Sequence, residues 1–225
     1  MKHLLDNIVW HALTGPHAAY AAGSGGARRY AVGFSPIVGF EDAAHPDFDA
    51  LAPHCALDEH FYCVGWSGAS PAGWQVEAEK TIVKMVWEGA LPDADDELPA
   101  VELRPQHAAQ ALDLATLTRP GPFGLRTPEL GEYFGCFEGE QLIAMAGERM
   151  AAGTLREISG VCTHPDAQGR GLAGKLMRKL IKRQMQRGEL PFLHVMRDNE
   201  HAYQLYLRMG FAVYSDSVVR VISRC

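Results

Sequence analysis

Apolar positions recur at helical spacing at the start of the chain: Leu4, Leu5, Ile8, Val9 and Leu13 share one face, with Trp10 nearby. Gly15-Pro16 interrupts the pattern, and residues 17–22 start a second helical turn. Residues 23–26 are a glycine-rich turn, and residues 30–40 read as strand broken by Gly33, Pro36 and Gly39. After an acidic, loop-rich stretch (41–53), residues 61–66 and 74–87 are the next strands. In the latter, Val76, Ala78, Lys80, Ile82, Lys84 and Val86 do not alternate cleanly with polar partners, which leaves the register open.

The pattern from residue 98 is more regular. Residues 100–103 form a short strand ended by Arg104-Pro105, and residues 106–117 a helix with Ala108, Ala111, Leu112 and Ala115 on one face. A Pro/Gly loop covers 119–128. Residues 133–137 and 141–150 make a hairpin turned by Glu138-Gly139-Glu140, and residues 155–163 a buried strand. Residues 172–187 carry the clearest helix, with Leu172, Leu176, Met177, Leu180, Ile181 and Met185 as its stripe. Gly188 and Pro191 end it. A strand at 192–196 follows, then a helix capped by Asp198 or Asn199 and closed by Gly210. Residues 211–214 and 217–222 form a final hairpin. This order predicts an α+β fold, with helices flanking a mixed, mainly antiparallel sheet, preceded by a smaller α+β N-terminal domain.

Charge supports such a division. Residues 1–97 hold 5 Lys/Arg and 14 Asp/Glu, whereas 98–225 hold 16 and 13. The acidic stretch 91–97 reads as a linker, giving domains at 1–97 and 98–225. With 47% hydrophobic and 21% charged residues, the 225-residue chain has the composition of a soluble globular protein. No apolar run reaches the roughly 20 residues of a membrane span, and the N-terminus lacks a signal-peptide core. A cytoplasmic location, no membrane partner, and a monomer or homodimer are the expectations. Five scattered cysteines without C-x-x-C, and histidines without H-x-x-x-H spacing, signal neither a disulfide framework nor a metal site.

The chemistry concentrates after the 155–163 strand. Pro165 and Asp166 break it, and Gln168-Gly169-Arg170-Gly171-Leu172-Ala173-Gly174 leads into the long helix. Glycines let the backbone approach a ligand closely. The first helical turn offers unpaired N–H groups and the positive end of a dipole, together a phosphate or pyrophosphate site. There is no Gly-Lys-Ser/Thr ending for a nucleoside triphosphate and no dinucleotide fingerprint.

The spacing Gln168-x-x-Gly171-x-Ala173 resembles the pyrophosphate loop of the GNAT superfamily of acyl-CoA N-acyltransferases. Asn199, Ala202, Leu205, Tyr206, Gly210 and Phe211 are similar to that family's N-x-x-A-x-x-L-Y-x-x-x-G-F signature at every fixed position. Val161 and Pro165 resemble its V-x-x-x-P. The likeness covers about residues 98–225. Residues 1–97 resemble the poorly matching first half of two-part members.

The resemblance implies acetyl-CoA as donor and a small-molecule or peptide amine as acceptor. Backbone groups of Val161, Cys162 and Thr163 would meet the pantetheine arm, and the N–H of Val161 or Cys162 would polarise the carbonyl, freed by a bulge at Gly160. Gln168, Gly169, Arg170, Gly171, Leu172, Ala173, Gly174 and Lys175 would hold the pyrophosphate. Asn199 would contact the cofactor arm or position the last helix. Tyr206 is the candidate general acid for the leaving thiolate. Glu157, 11 residues before Gln168, matches the base of the histone-modifying branch; pairing with Arg156 or Arg149 is the competing role. Glu148, Glu132 and His164 are weaker alternatives, and Cys162 reads as a buried strand thiol. The seven Lys/Arg in 170–187 fit a solvated face beside the CoA phosphates, with no nucleic-acid partner. Two other readings stay open: a transferase of longer acyl groups resembling glycine N-acyltransferases, and a non-catalytic acyl-CoA-binding module.

Overall fold

The computed structural model describes residues 2–93 and 98–225. The division expected at residue 97 and most of the expected linker fall on residues 94–97, outside the described residues. In chain order the strands are β1 (Ala21–Ala22), β2 (Ala27–Tyr30), β3 (Ile37–Phe40), β4 (His60–Val64), β5 (Trp74–Trp87), β6 (Ala100–Glu102), β7 (Tyr133–Glu138), β8 (Gln141–Ala152), β9 (Leu155–Thr163), β10 (Leu190–Met196) and β11 (Phe211–Arg224). The helices are α1 (Ile8–Thr14), α2 (Phe48–Leu51), α3 (Ala108–Thr118), α4 (Leu172–Gln186) and α5 (Glu200–Met209).

All eleven strands join one sheet, in the order β1-β2-β3-β4-β11-β5-β10-β9-β8-β7-β6. Among the described residues, only β3–β4 and β9–β10 pair in parallel. The stretches on either side of residues 94–97 share this sheet: β5, from the first, lies between β11 and β10, from the second. β5 runs against β11 from Trp74 to Trp87 and against β10 from Ile82 to Val86. Its poor alternation has a physical cause. The Val83–Trp87 end is buried on both faces, while Glu77–Thr81 is exposed.

Alternation assigns the two faces. Val83, Met85, Leu193 and Val195 pack beneath α4 and α5. Leu176, Met177, Leu180 and Ile181 of α4 are fully buried there, each contributing about 1.5–3 kcal/mol. On the opposite face Val86 and Phe192 pack with α1, while Tyr133, Met145 and Cys162 pack with α3.

Two expectations need correction. Residues 17–22 form a short 3₁₀ turn and then strand β1. The final hairpin is one continuous strand, β11, with a register shift at Tyr214. Its polar run Ser215-Asp216-Ser217, which suggests a turn, pairs with Lys84, Val83 and Ile82 of β5. The bulge sends the Tyr214 hydroxyl to donate to Asp6 at 2.9 Å, and Asp216 accepts from Arg197.

Candidate active site

The site begins where β9 and β10 part. Their parallel ladder ends at Ile158–Leu193. β9 then follows β8 as far as Thr163–Ala144, and β10 follows β5 as far as Met196–Ile82. A wedge therefore opens between residues 159–163 and 194–196. Within β9, Gly160 takes φ +63°, and the β8 register shifts between Gly147–Ser159 and Met145–Cys162. This is the bulge that the glycine allows. A Cβ on Gly160 would meet the rings of Tyr133 and Phe123 at 3.1 and 3.3 Å.

Beyond β9, a 3₁₀ turn (Pro165–Ala167) leads to the glycine loop. Gly169 and Gly171 adopt φ +77° and +73°, and a Cβ at either would meet nothing within 4 Å. Gly171 is the N-cap of α4 and offers no side chain to bond the helix end. The first turn of α4, Leu172–Gly174, thus presents N–H groups that helix geometry leaves without carbonyl partners. Arg170 lies beside it, 3.3 Å from Glu138 in an exposed pair. An anionic diphosphate fits this cradle on three counts: open space, aligned donors and positive charge. Two basic residues at the far end of α4 are engaged elsewhere. Arg183 bonds Glu132, and Arg187 bonds Glu132, Glu148 and Glu189.

Asn199 caps α5 by accepting from Ala202 N at 3.2 Å, so the sequence's second capping option is the one used. Tyr206, on α5, is buried and packs against Phe211 with ring centroids 6.1 Å apart. Burial, with Cys162 nearby, pushes its phenol up to about 12. It stays protonated throughout the physiological range. Burial likewise pushes the Cys162 thiol up to about 11, the state of an inert strand thiol.

Glu157 is wholly buried. Arg149 donates to both its oxygens, Nε to Oε2 at 2.9 Å and Nη2 to Oε1 at 2.7 Å. Met150 N donates at 3.2 Å, and His194 Nδ1 lies 2.7 Å from Oε1. Burial alone would raise the carboxyl pKa, but Arg149 and His194 outweigh it and hold it down to about 2. Of the weaker alternatives, Glu148 and Glu132 bond Arg187, while His164 caps the 3₁₀ turn by accepting from Asp166 N.

Residues 133–221 match the family model described as FR47-like protein. A GNAT-family structure from Novosphingobium aromaticivorans DSM 12444 is 33% identical, with a TM-score of 0.88 over 99% of this chain and 99% of that one. This chain belongs to the GNAT family of acetyltransferases. Two further structures share the fold at lower identity. One is a GCN5-related N-acetyltransferase from Kribbella flavida, 13% identical over 97% of this chain and 96% of that one, with a TM-score of 0.59. The other is a GCN5-related N-acetyltransferase-like protein from Streptococcus suis 89/1591, 14% identical over 97% and 92%, with a TM-score of 0.61. No curated protein matches the sequence.

This GNAT chain also has a cleft that its motifs do not announce. A space of about 310 Å³ is lined by Tyr62, Ala115, Thr116, Arg119, Gly121 and Phe123. A second, of about 170 Å³, is lined by Tyr62, Ala78, Lys80, Met196, Val219 and Val221. Tyr62 of β4 borders both. Phe123 connects the larger one to the Gly160 bulge, and Met196 connects the smaller one to the wedge. Tyr62 and His194 carry no sequence signal, because each lies on a strand without a local motif. Arg149 is the partner for Glu157 that the sequence offers, and the structure pairs the two. Among the described residues, no helix is long and apolar enough to cross a membrane.

Proposed function

We propose that this GNAT protein is an N-acetyltransferase that moves an acetyl group from acetyl-CoA to a primary amine, by direct attack in a ternary complex. The observation that carries the reading is the uncapped end of α4, with its open glycine cradle, immediately beyond the wedge between β9 and β10. Main-chain N–H groups of residues 169–174 suit the diphosphate, with Arg170 and Lys175 adding positive charge. The strand edge Val161-Cys162-Thr163 suits the pantetheine amides, and Gln168 and Asn199 flank the arm.

An amine with a lysine-like pKa is mostly protonated at neutral pH and must shed a proton before it attacks. The cluster of Glu157 and His194 stands at the start of the wedge, and the proton leaves toward it. The carbonyl oxygen gains charge during attack and is met by an N–H of the bulged strand at Val161 or Cys162. Tyr206 gives its proton to the departing sulfur. Its raised proton affinity does not disqualify it, because a thiolate released into the same desolvated space is raised too. Residues 1–97 shape the acceptor site, with Tyr62 on the cleft wall supporting that role.

The test is calorimetry with acetyl-CoA, followed by thiol release in the presence of a panel of primary amines. The reading expects saturable binding and turnover of at least one amine. Neither binding nor turnover removes it. A non-catalytic binding module would instead bind the coenzyme and transfer nothing. Turnover of bulkier acyl-CoA in preference to acetyl-CoA would identify a longer-chain acyltransferase.

A further inference from the structure

The His194 imidazole is 6% exposed, and one of its nitrogens is committed. Nδ1 lies 2.7 Å from Glu157 Oε1. An ionised carboxylate only accepts, so Nδ1 carries the hydrogen and Nε2 keeps its lone pair. Nε2 is buried without a hydrogen-bond partner. An orphaned polar atom at such depth calls for a functional explanation. Its position supplies one. His194 is the first residue of β10 beyond the last β9–β10 pair, so it stands at the apex of the wedge. Two residues on, about 7 Å along the same strand face, Met196 lines the cleft shared with Tyr62.

We propose that His194 takes the proton shed by the attacking amine, directly or through one bound water, and that Glu157 is the residue that positions it. This rests on the acetyl-transfer reading above. The Glu157 carboxylate accepts from Arg149 twice and from Met150 N, and His194 Nδ1 lies against it. A carboxylate so solvated by the protein is a poor proton acceptor. It is well placed to fix the tautomer and ring plane of the histidine. The charged and titratable groups around the ring come from every neighbouring strand: Glu157 on β9, Arg149 on β8 and Lys84 on β5. Tyr30 and Tyr133 surround the same Arg149–Glu157 pair. Burial first, then Arg149 and Lys84, lower the His194 pKa, and the neighbouring Glu157 opposes them without reversing the shift. The imidazole is therefore neutral at pH 7 and able to accept.

The step balances. The bound ammonium passes one proton to Nε2, which releases it to solvent. The freed amine nitrogen then bonds to the thioester carbonyl carbon, the C–S bond breaks, and Tyr206 protonates the leaving sulfur. The second nitrogen proton, lost as the amide forms, restores the phenolate through solvent. Ammonium and thioester become amide, thiol and one proton in solvent.

The experiment follows thiol release from acetyl-CoA with amines of graded basicity, from ethylamine to trifluoroethylamine, in wild type and His194→Gln. Calorimetry of acetyl-CoA binding runs alongside. Expected is a loss of about 100-fold or more in kcat/KM for the strongly basic amine, a smaller loss for the weakly basic one, and unchanged acetyl-CoA affinity. For ethylamine, wild-type kcat/KM should level off once His194 is neutral, whereas the variant's should keep rising with pH toward the amine's own pKa. Equal losses for both amines, or a variant profile that levels off as the wild type does, overturn the proposal while leaving acetyl transfer intact. No transfer by wild type to any amine removes both. Nitrogen NMR of the wild-type histidine side chains needs no variant. It should show His194 protonated on Nδ1 and bare on Nε2 at pH 7, and a cationic ring there contradicts the proposal.

Discussion

Arg149 and Glu157 form a two-pronged ion pair at 2.7 and 2.9 Å, buried in the sheet where β8 and β9 lie side by side. Two register irregularities bring the pair together: β8 carries extra residues between Glu148 and Ala151, and β9 carries its bulge at Gly160. Removing one partner leaves the other charged and desolvated. Arg149→Met should lower unfolding stability by about 3–5 kcal/mol in urea titrations. A loss below 1 kcal/mol would mean that the pair is not desolvated in solution.

The same cluster sets the acid limit of stability. Glu157 is held at about 2, against 4.5 for the free group. The unfolded chain therefore binds its proton first. The stabilisation is complete above pH about 4.5 and is lost as pH falls through about 2, and it amounts to about 3 kcal/mol. His17 acts in the same direction. Burial, then Arg156, lowers it from 6.5 to about 4, with Glu157 opposing, so its contribution fades between those two values. Unfolding free energy measured against pH should decline from about 6.5 downward. A flat profile between pH 6.5 and 4 would contradict these assignments.

Tyr206→Phe should leave acetyl-CoA affinity unchanged and reduce kcat by about 100-fold. The hydroxyl is needed only as the thiolate leaves. Calorimetry and steady-state rates separate the two effects, and a matching loss of affinity would make the tyrosine a packing residue.

Tyr62→Ala removes the ring that borders both cleft spaces. It should raise the acceptor KM by about 10-fold or more, with acetyl-CoA affinity intact, since lost pocket contacts act on the bound partner. An unchanged acceptor KM would remove the first part of the chain from acceptor binding.

How far the sequence could be read depended on how local each feature was. Strand β9, the glycine loop, α4 and α5 were legible because their apolar spacing and caps lie within a few residues: Gly171 before Leu172, Asn199 before Glu200, Gly210 after Met209. The end of the chain was not, since Ser215-Asp216-Ser217 is strand only by virtue of its partners Lys84, Val83 and Ile82 in β5, far earlier in the sequence. The shared sheet was hidden for the same reason. Glu157 was found through a spacing and Arg149 as its possible partner, but the rest of the cluster was not. Arg149 and His194 reach Glu157 from two other strands, Lys84 sits opposite His194 on a third, and only the register brings them together. Tyr62 lies in the stretch without a motif.

Gly171→Val probes the cradle. Because a Cβ there meets no protein atom, the stability cost should be limited to the backbone strain at φ +73°, about 1–2 kcal/mol. The added side chain would crowd the diphosphate, so acetyl-CoA affinity should fall by at least about 10-fold, or 1.4 kcal/mol. Unaltered affinity would place the phosphates elsewhere.

The most direct measurement is a crystal structure of the protein grown with CoA. The account predicts the diphosphate within about 2.7–3.2 Å of main-chain N–H groups in residues 169–174. It also predicts the pantetheine arm along Val161–Thr163 inside the wedge and the sulfur at the Tyr206 hydroxyl. A coenzyme bound outside the wedge, or a wedge closed by the protein's own side chains, would contradict it.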